Sequence, residues 1–468
     1  MTVKRPEETA FSKLELTRKY PATERLSPEQ RNSLDDLTQR YIRFLGKAWV
    51  PNLVVDEVIE LVINKGYTNE AHAKEPFYLL GPDEKSFAVV KPGIVKNQQD
   101  PLENGLRVIV SHVDAPCLVA KQRPLFFEWD PGEKELYPGV CIDTYPYGGI
   151  QHYHWEGIPV YFIGSGVVDG KRYEKMLQGM VVGQSAHLDQ RHSETTMGEA
   201  FTHDNIKVFL GHASRKDALK ELGFKSEDDF YTTVWYAVPK IKPTRIGRDF
   251  ISAYGHDDRA GTFGAVDALL KAKAETNTLV IIGFDYEEVG SDGAGGAKGR
   301  FFDEVIDTIV RSLESKLSKE EVIRRSKGIS ADTDVTSGPH ENTVSGIIDK
   351  RNVSRLGYGV SMYSATGLYE NNNVPLDYKA HIRRLAEKRK IPVQLLGSPQ
   401  PADIAMGAET VGYFLTNRGL YSIDAGPTVV SSHGLNELLH AGDLFWSREL
   451  YQAFFEDKTP YKPIRKAR

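Results

Sequence analysis

The apolar positions of this chain follow helical spacing at first. Ser27-Pro28-Glu29-Gln30 offers an N-cap, a proline at the first helical position and a glutamine that closes a capping box. Leu34, Leu37, Tyr41, Leu45 and Trp49 then recur on one face. A second helix is expected over about 54–65, stopped by Gly66. Strand-like runs follow at Phe87-Ala-Val-Val-Lys-Pro and Leu106-Arg-Val-Ile-Val-Ser-His112. The run Thr278-Leu-Val-Ile-Ile-Gly-Phe284 is apolar on both parities, the pattern of a parallel strand covered on each face.

Between about 119 and 250 helical periodicity nearly vanishes, and short aromatic and β-branched runs alternate with Gly and Pro. That pattern predicts an all-β insertion, with strands near 125–129, 140–145, 158–163, 180–183 and 230–238 and one short helix near 216–222. His152 and His154 would share a strand face there, at most half a zinc site. After Tyr254 the alternation of helices and strands resumes. Helices are expected from Gly255 to about 274, over 302–327, 381–389, 402–415 and 443–455, and further strands at 357–363, 393–396 and 420–426. The fold class is therefore α/β: a central mixed sheet flanked by helices, built from residues 1–118 and 251–468, with 119–250 as a β-rich insertion.

Composition narrows the function classes. A net charge of -5 leaves no basic excess to draw in nucleic acid or anionic lipid. No apolar run approaches the roughly 20 residues that span a bilayer, and the polar start has no signal-peptide core. With Cys117 and Cys141 the only cysteines, reduced thiols and a cytoplasmic location are expected.

The strand beginning at Thr278 runs straight into Asp285-Tyr286-Glu287-Glu288 and a glycine-rich loop. Adjacent carboxylates repel unless cations or protons compensate, although a Glu-Glu pair alone is more often an acidic turn. The balance shifts because His112, Asp257, Glu288, Asp332 and His433 each stand at a strand end or the start of the following loop. Two zinc-like ions, about 3.5–4 Å apart, need around five protein groups with one carboxylate shared. In that scheme Asp257 bridges, His112 and Asp332 complete one ion, and Glu288 and His433 complete the other. Glu287 is then the free proton acceptor for a water between the ions, and Asp114 stands behind His112 to fix its tautomer. Asp258 competes with Asp257, and Asp334 with Asp332; spacing leaves both choices open. The glycine-rich loop lacks the Gly-Lys-Ser/Thr ending of a phosphate-binding loop, and no Gly-x-Ser-x-Gly elbow occurs.

Six segments run in one order along nearly the whole chain: Ser111-His-Val-Asp-Ala-Pro-Cys-Leu118, His256-Asp-Asp-Arg259, Asp285-Tyr-Glu-Glu-Val-Gly-Ser291, Ile329-Ser-Ala-Asp332, Leu396-Gly-Ser-Pro399 and Ser432-His-Gly-Leu-Asn-Glu437. In them the chain resembles the aspartyl aminopeptidase family of dinuclear zinc metallopeptidases, which includes the vacuolar aminopeptidases. The resemblance implies that His112, Asp257, Glu288, Asp332 and His433 hold two divalent metals, with Glu287 as base and Asp114 behind the ligands. It favours Asp257 over Asp258 and Asp332 over Asp334. Zinc is the expected ion, and the N/O donors also suit cobalt or manganese. It further implies a zinc-peptidase-like catalytic domain interrupted by a β-rich oligomerisation domain that builds dimers and, from them, a tetrahedral dodecamer. His187 matches the histidine that reaches a neighbouring subunit's site. The implied activity is removal of N-terminal residues from short peptides with a free amine. Members that favour acidic residues carry a lysine where this chain reads Gly357-Tyr-Gly-Val-Ser-Met-Tyr-Ser364, so a neutral or broader preference is expected. The other readings are a related carboxypeptidase or deacylase, and a catalytically silent oligomeric scaffold.

Overall fold

The computed structural model describes residues 22–94, 99–126, 139–183, 187, 196, 206–212, 214–336, 352–363, 374–397 and 410–459. Its centre is an eight-stranded mixed sheet in the order Phe77–Leu80, Phe87–Lys91, Thr278–Phe284, Leu106–His112, Lys327–Ser330, Tyr421–Gly426, Val360–Tyr363, Val393–Leu396. The middle four strands, from Thr278–Phe284 to Tyr421–Gly426, run parallel. Their continuous apolar sequences are explained by cover on both faces. Ile109 and Ile281 point into a core shared with the helices Pro28–Leu45, Pro51–Ile63, His256–Lys271, Leu376–Arg389 and Ala441–Phe455. Val108, Val110, Val280 and Ile282 point the other way, against Phe301–Ser312, Lys319–Arg325 and Val411–Asn417. A sheet clamped in this way holds the ends of its strands in fixed register, which is what a multi-residue site at those ends requires.

The β-rich part is a closed six-stranded barrel: Cys117–Phe126, Cys141–Tyr147, Lys207–Phe209, Lys171–Val181, Pro159–Val168, Thr233–Pro239. Trp235 fills it, stacked on Phe162 at 4.6 Å between ring centroids. The chain enters the barrel five residues after His112 and leaves through Thr244–Ile246 into Phe250–Ala253. Those two short strands belong to a five-stranded sheet with Glu437–His440, Thr428–Val430 and Asp334–Thr336.

Several sequence expectations meet their element with the stated start signal. Ser27 and Gln30 form the capping box of Pro28–Leu45, and the terminal helix covers Ala441–Phe455. Others differ for local reasons. The stretch 302–327 is two helices, Phe301–Ser312 and Lys319–Arg325, because Ser318 and Glu321 cap a second start. The strand near 180–183 is the end of the longer Lys171–Val181, whose β period is blurred by Met176 and Met180 on the exposed face and Lys175 on the other. The strand near 230–238 begins only at Thr233, since Ser226 and Asp229 cap a 3-10 helix over Glu227–Thr232. The strand expected at 357–363 starts at Val360, because the Gly357 and Gly359 N–H groups donate to the Asp443 carboxylate at 2.6 and 2.7 Å. His152 and His154 lie in a 3-10 helix, His152–Trp155, anchored by buried Trp155, and do not share a strand face. Residues 127–129 of one expected strand and 402–409 of one expected helix lie outside the described residues.

Candidate metal centre

Three neighbouring parallel strands deliver side chains to one edge of the central sheet. His112 is the last residue of Leu106–His112, and Asp332 lies two residues beyond Lys327–Ser330. Glu287 and Glu288 open the short turn that follows Thr278–Phe284. Asp257 comes from the first turn of His256–Lys271, and His433 from the turn between Thr428–Val430 and Glu437–His440. The Asp257–Asp258 peptide is cis. Tyr286, Ser431 and His433 have φ of 66°, 59° and 62°. Left-handed backbone at non-glycine residues costs about 1–3 kcal/mol each and persists where surrounding structure over-determines it, as it does around Glu287 and His433.

The Asp257 carboxylate lies between the two imidazoles: Oδ1 is 3.2 Å from His112 Nε2, and Oδ2 is 3.5 Å from His433 Nε2. His112 Nε2 also faces Asp332 Oδ1 at 3.6 Å, and His433 Nε2 faces Glu288 Oε2 at 3.2 Å. All five candidate ligands are thereby joined in one chain of contacts with Asp257 at its middle. The metal-competent triplets among the described residues are His112–Asp257–Glu288 and His112–Asp258–Asp332; His433 joins them only through its contacts with Asp257 and Glu288, and His187, exposed in a turn, joins neither. Asp334 accepts hydrogen bonds from the hydroxyls of Ser361 and Tyr363, the latter at 2.6 Å. Asp258 lies close enough to His112 and Asp332 to form a ligand triplet with them, but its oxygens also accept from the backbone N–H of Gly261 at 3.0 Å and of His112 at 3.4 Å.

Electrostatics shows what such a cluster lacks. Burial pushes Glu288 well above the ordinary carboxylate range, with His433 opposing and Asp257 adding. Burial likewise raises Glu287, with His112 opposing and Asp332 and Asp114 adding. Burial opposes the protonation of His433, yet Asp257 and Glu288 push it up to about 10. Asp257 moves down, because hydrogen bonds from His112 and His433 outweigh its burial. A cation at the Nε2 positions would neutralise these same carboxylates. Zinc at 2.0–2.2 Å from tetrahedral N/O ligands puts those ligands roughly 3.3 Å apart, in line with the 3.2–3.6 Å separations here. Glu288 Oε1 is buried without a hydrogen-bond partner among the described residues. The donor set, its spacing and this orphaned oxygen all fit divalent zinc.

Two further carboxylates hold the frame. Asp114 lies with its backbone oxygen 3.2 Å and its carboxylate 3.3 Å from His112 Nδ1, and the carboxylate accepts the N–H groups of Glu287 and Glu288 at 3.2 and 3.0 Å. Glu437 accepts the N–H of Asp257 at 3.1 Å and that of His433 at 2.9 Å, one on each oxygen. Sequence reasoning gave Glu437 no role, although it closes the segment that contains His433. A backbone clamp has no spacing signature of its own. Glu437→Gln should lower zinc content on dialysis, because its amide would face one of the two N–H groups; unchanged content measured by elemental analysis would remove Glu437 from the frame.

Residues 202–455 match the model of a protein family described as aminopeptidase I zinc metalloprotease (M18). The chain is 28% identical to a probable M18 family aminopeptidase 1 of Thermotoga maritima, over 91% of this chain and 97% of that one. Against the corresponding protein of Borreliella afzelii the figures are 27%, 92% and 98%. Among solved structures it is similar to an M18 aminopeptidase from Thermotoga maritima, with a TM-score of 0.82 and 25% identity over 93% of this chain and 99% of that one. The fold is also shared with the mApe1 dodecamer of S. cerevisiae, at a TM-score of 0.69 and 18% identity over 90% of this chain and 96% of that one.

Proposed function

Because the chain belongs to the M18 family of aminopeptidase I zinc metalloproteases, we propose that its five converging side chains hold two zinc ions for the removal of N-terminal residues from short peptides. It is a zinc-dependent metalloaminopeptidase, a hydrolase of peptide bonds. In the proposed arrangement His112 and Asp332 serve one ion, Glu288 and His433 the other, and Asp257 both. The observation that carries this reading is the Asp257 carboxylate, each oxygen of which faces a different imidazole. When bound, the ions supply Lewis acidity, polarising the scissile carbonyl and acidifying water.

The chain's own residues do the rest. Glu287 lies beside the ligands without being one of them, and its carboxylate takes the proton of the attacking water and returns it to the departing amine. Arg259, the arginine in the first turn of His256–Lys271, is committed to the backbone oxygens of Ala48, Gly255 and Trp49. It is therefore not free to receive a substrate carboxylate, which a carboxypeptidase reading would require.

The barrel is the proposed oligomerisation domain, building dimers and from them a dodecamer in which His187 is presented to a neighbouring subunit's site. Enclosed sites would admit short peptides and exclude folded proteins, and the proposed location is the cytoplasm. No helix among the described residues is long and apolar enough to cross a membrane. In place of a lysine, the strand Val360–Tyr363 puts Ser361 and Tyr363 on Asp334, which supports a neutral or broad preference for the first residue.

A panel of aminoacyl reporters with free and acetylated N-termini tests the reading on zinc-loaded protein. Hydrolysis of the free-amine set alone is expected. Cleavage of the blocked peptides from their C-terminal end would replace it with the carboxypeptidase reading.

A further inference from the structure

The two imidazoles that face Asp257 belong to the α/β part of the chain, yet the groups behind them lead to the same three residues of the barrel. His433 Nδ1 lies 2.8 Å from the carbonyl oxygen of Gly149. A carbonyl only accepts, so Nδ1 carries the hydrogen and Nε2 is left for Asp257 and Glu288. Behind His112, the Asp114 carboxylate is itself held by the Tyr147 hydroxyl, which donates to Oδ2 at 2.9 Å. The same Oδ2 accepts the Glu288 N–H, so the phenol reaches the frame of the acidic pair as well. Tyr147 ends the barrel strand Cys141–Tyr147, and Gly148 and Gly149 follow it directly.

At Gly148 the approach is close enough to need glycine. Gly148 has φ 72°, and a Cβ there would come 3.2 Å from both Glu288 Cβ and Pro116 Cβ. A Cβ on Gly149 would stand 3.4 Å from His433 Nδ1. The segment therefore rests on Glu288 and His433 on one side and braces Asp114 on the other.

We propose that Tyr147 and Gly149 are positioning groups through which the inserted barrel orients both metal-facing imidazoles of its own chain. This rests on the metal reading above. It makes the barrel part of the site in the same subunit, apart from any role between subunits. Displacing the barrel relative to the central sheet would disturb the Nδ1 partner of both histidines together. Partners of this kind change metal affinity by about 10–100-fold when removed. Coupling is reciprocal, so ions that tighten the imidazoles also tighten the barrel segment behind them.

The test is zinc titration of the full chain against a competing chelator, with Tyr147→Phe, which keeps the ring and removes only the hydroxyl, and Gly148→Ala, which pushes the segment off Glu288. Both variants are expected to bind zinc on the order of tenfold to a hundredfold more weakly. In the parent, zinc loading is expected to slow amide exchange across residues 145–150, a measurement that does not depend on any variant folding. A merely structural tyrosine would lower the Tm of metal-free Tyr147→Phe and leave its zinc affinity and the parent's exchange unchanged, and that result overturns the proposal. A parent that binds no zinc at all would instead defeat the metal reading, and this inference with it.

Discussion

Replacing Glu287 with glutamine is expected to lower kcat by about 10²–10⁴-fold while zinc content stays that of the parent. The substitution keeps the side chain's size and leaves the backbone alone, where the Glu287 N–H is held by Asp114 at 3.2 Å. What it removes is the capacity to accept a proton. Glu287 stands beside Asp332 and His112 electrostatically, while among the described residues its neighbour Glu288 is the acid that joins His112 and Asp257 in a metal-competent group. Steady-state kinetics paired with elemental analysis of the same preparation decides the matter. Unimpaired turnover would mean that another group takes the proton, and a loss of zinc would make Glu287 a ligand.

Asp257→Asn is expected to be as severe by a different route. One oxygen of the carboxylate faces His112 Nε2 and the other faces His433 Nε2. Asparagine keeps a single oxygen and turns an NH2 toward the second position, where it can only donate. Removing one partner from a buried charged set costs about 3–5 kcal/mol, equivalent to roughly 10²–10⁴-fold in affinity. After dialysis the variant is expected to retain fewer than one ion per chain and to lose detectable aminopeptidase activity. Retention of two ions would remove Asp257 from the bridge and bring Asp258 forward as the shared carboxylate.

Much of this architecture is legible in the sequence because the strongest signals are local and physical. The run Thr278–Phe284 is apolar at both parities since helices cover both faces of its sheet. His112, Asp332 and the Glu287–Glu288 pair share an edge because they follow parallel strands that are neighbours in the sheet. The capping box at Ser27 names its helix outright. The five-stranded sheet was not anticipated, because its members are three or four residues long and two of its pairings, Phe250–Ala253 with Glu437–His440 and Asp334–Thr336 with Thr428–Val430, join strands far apart in the chain. Lys171–Val181 escaped because Met176 and Met180 stand on its exposed face while Lys175 and Gly179 stand on the other, which blurs the alternation. Glu437, Tyr147 and Gly149 act through backbone groups or across the boundary between barrel and sheet, so residue type at a given spacing carries no trace of them.

The candidate ligands are spread from His112 to His433, a numbering difference of 433 − 112 = 321 residues, and the barrel is threaded between the first and the second. No early stretch of the chain can assemble the centre, because its last imidazole is made 433 − 112 = 321 residues after its first. Synthesis thus imposes a delay: a polypeptide not yet grown past His433 would carry no competent peptidase, and activity would begin only once the turn bearing that imidazole had closed on its distant partners.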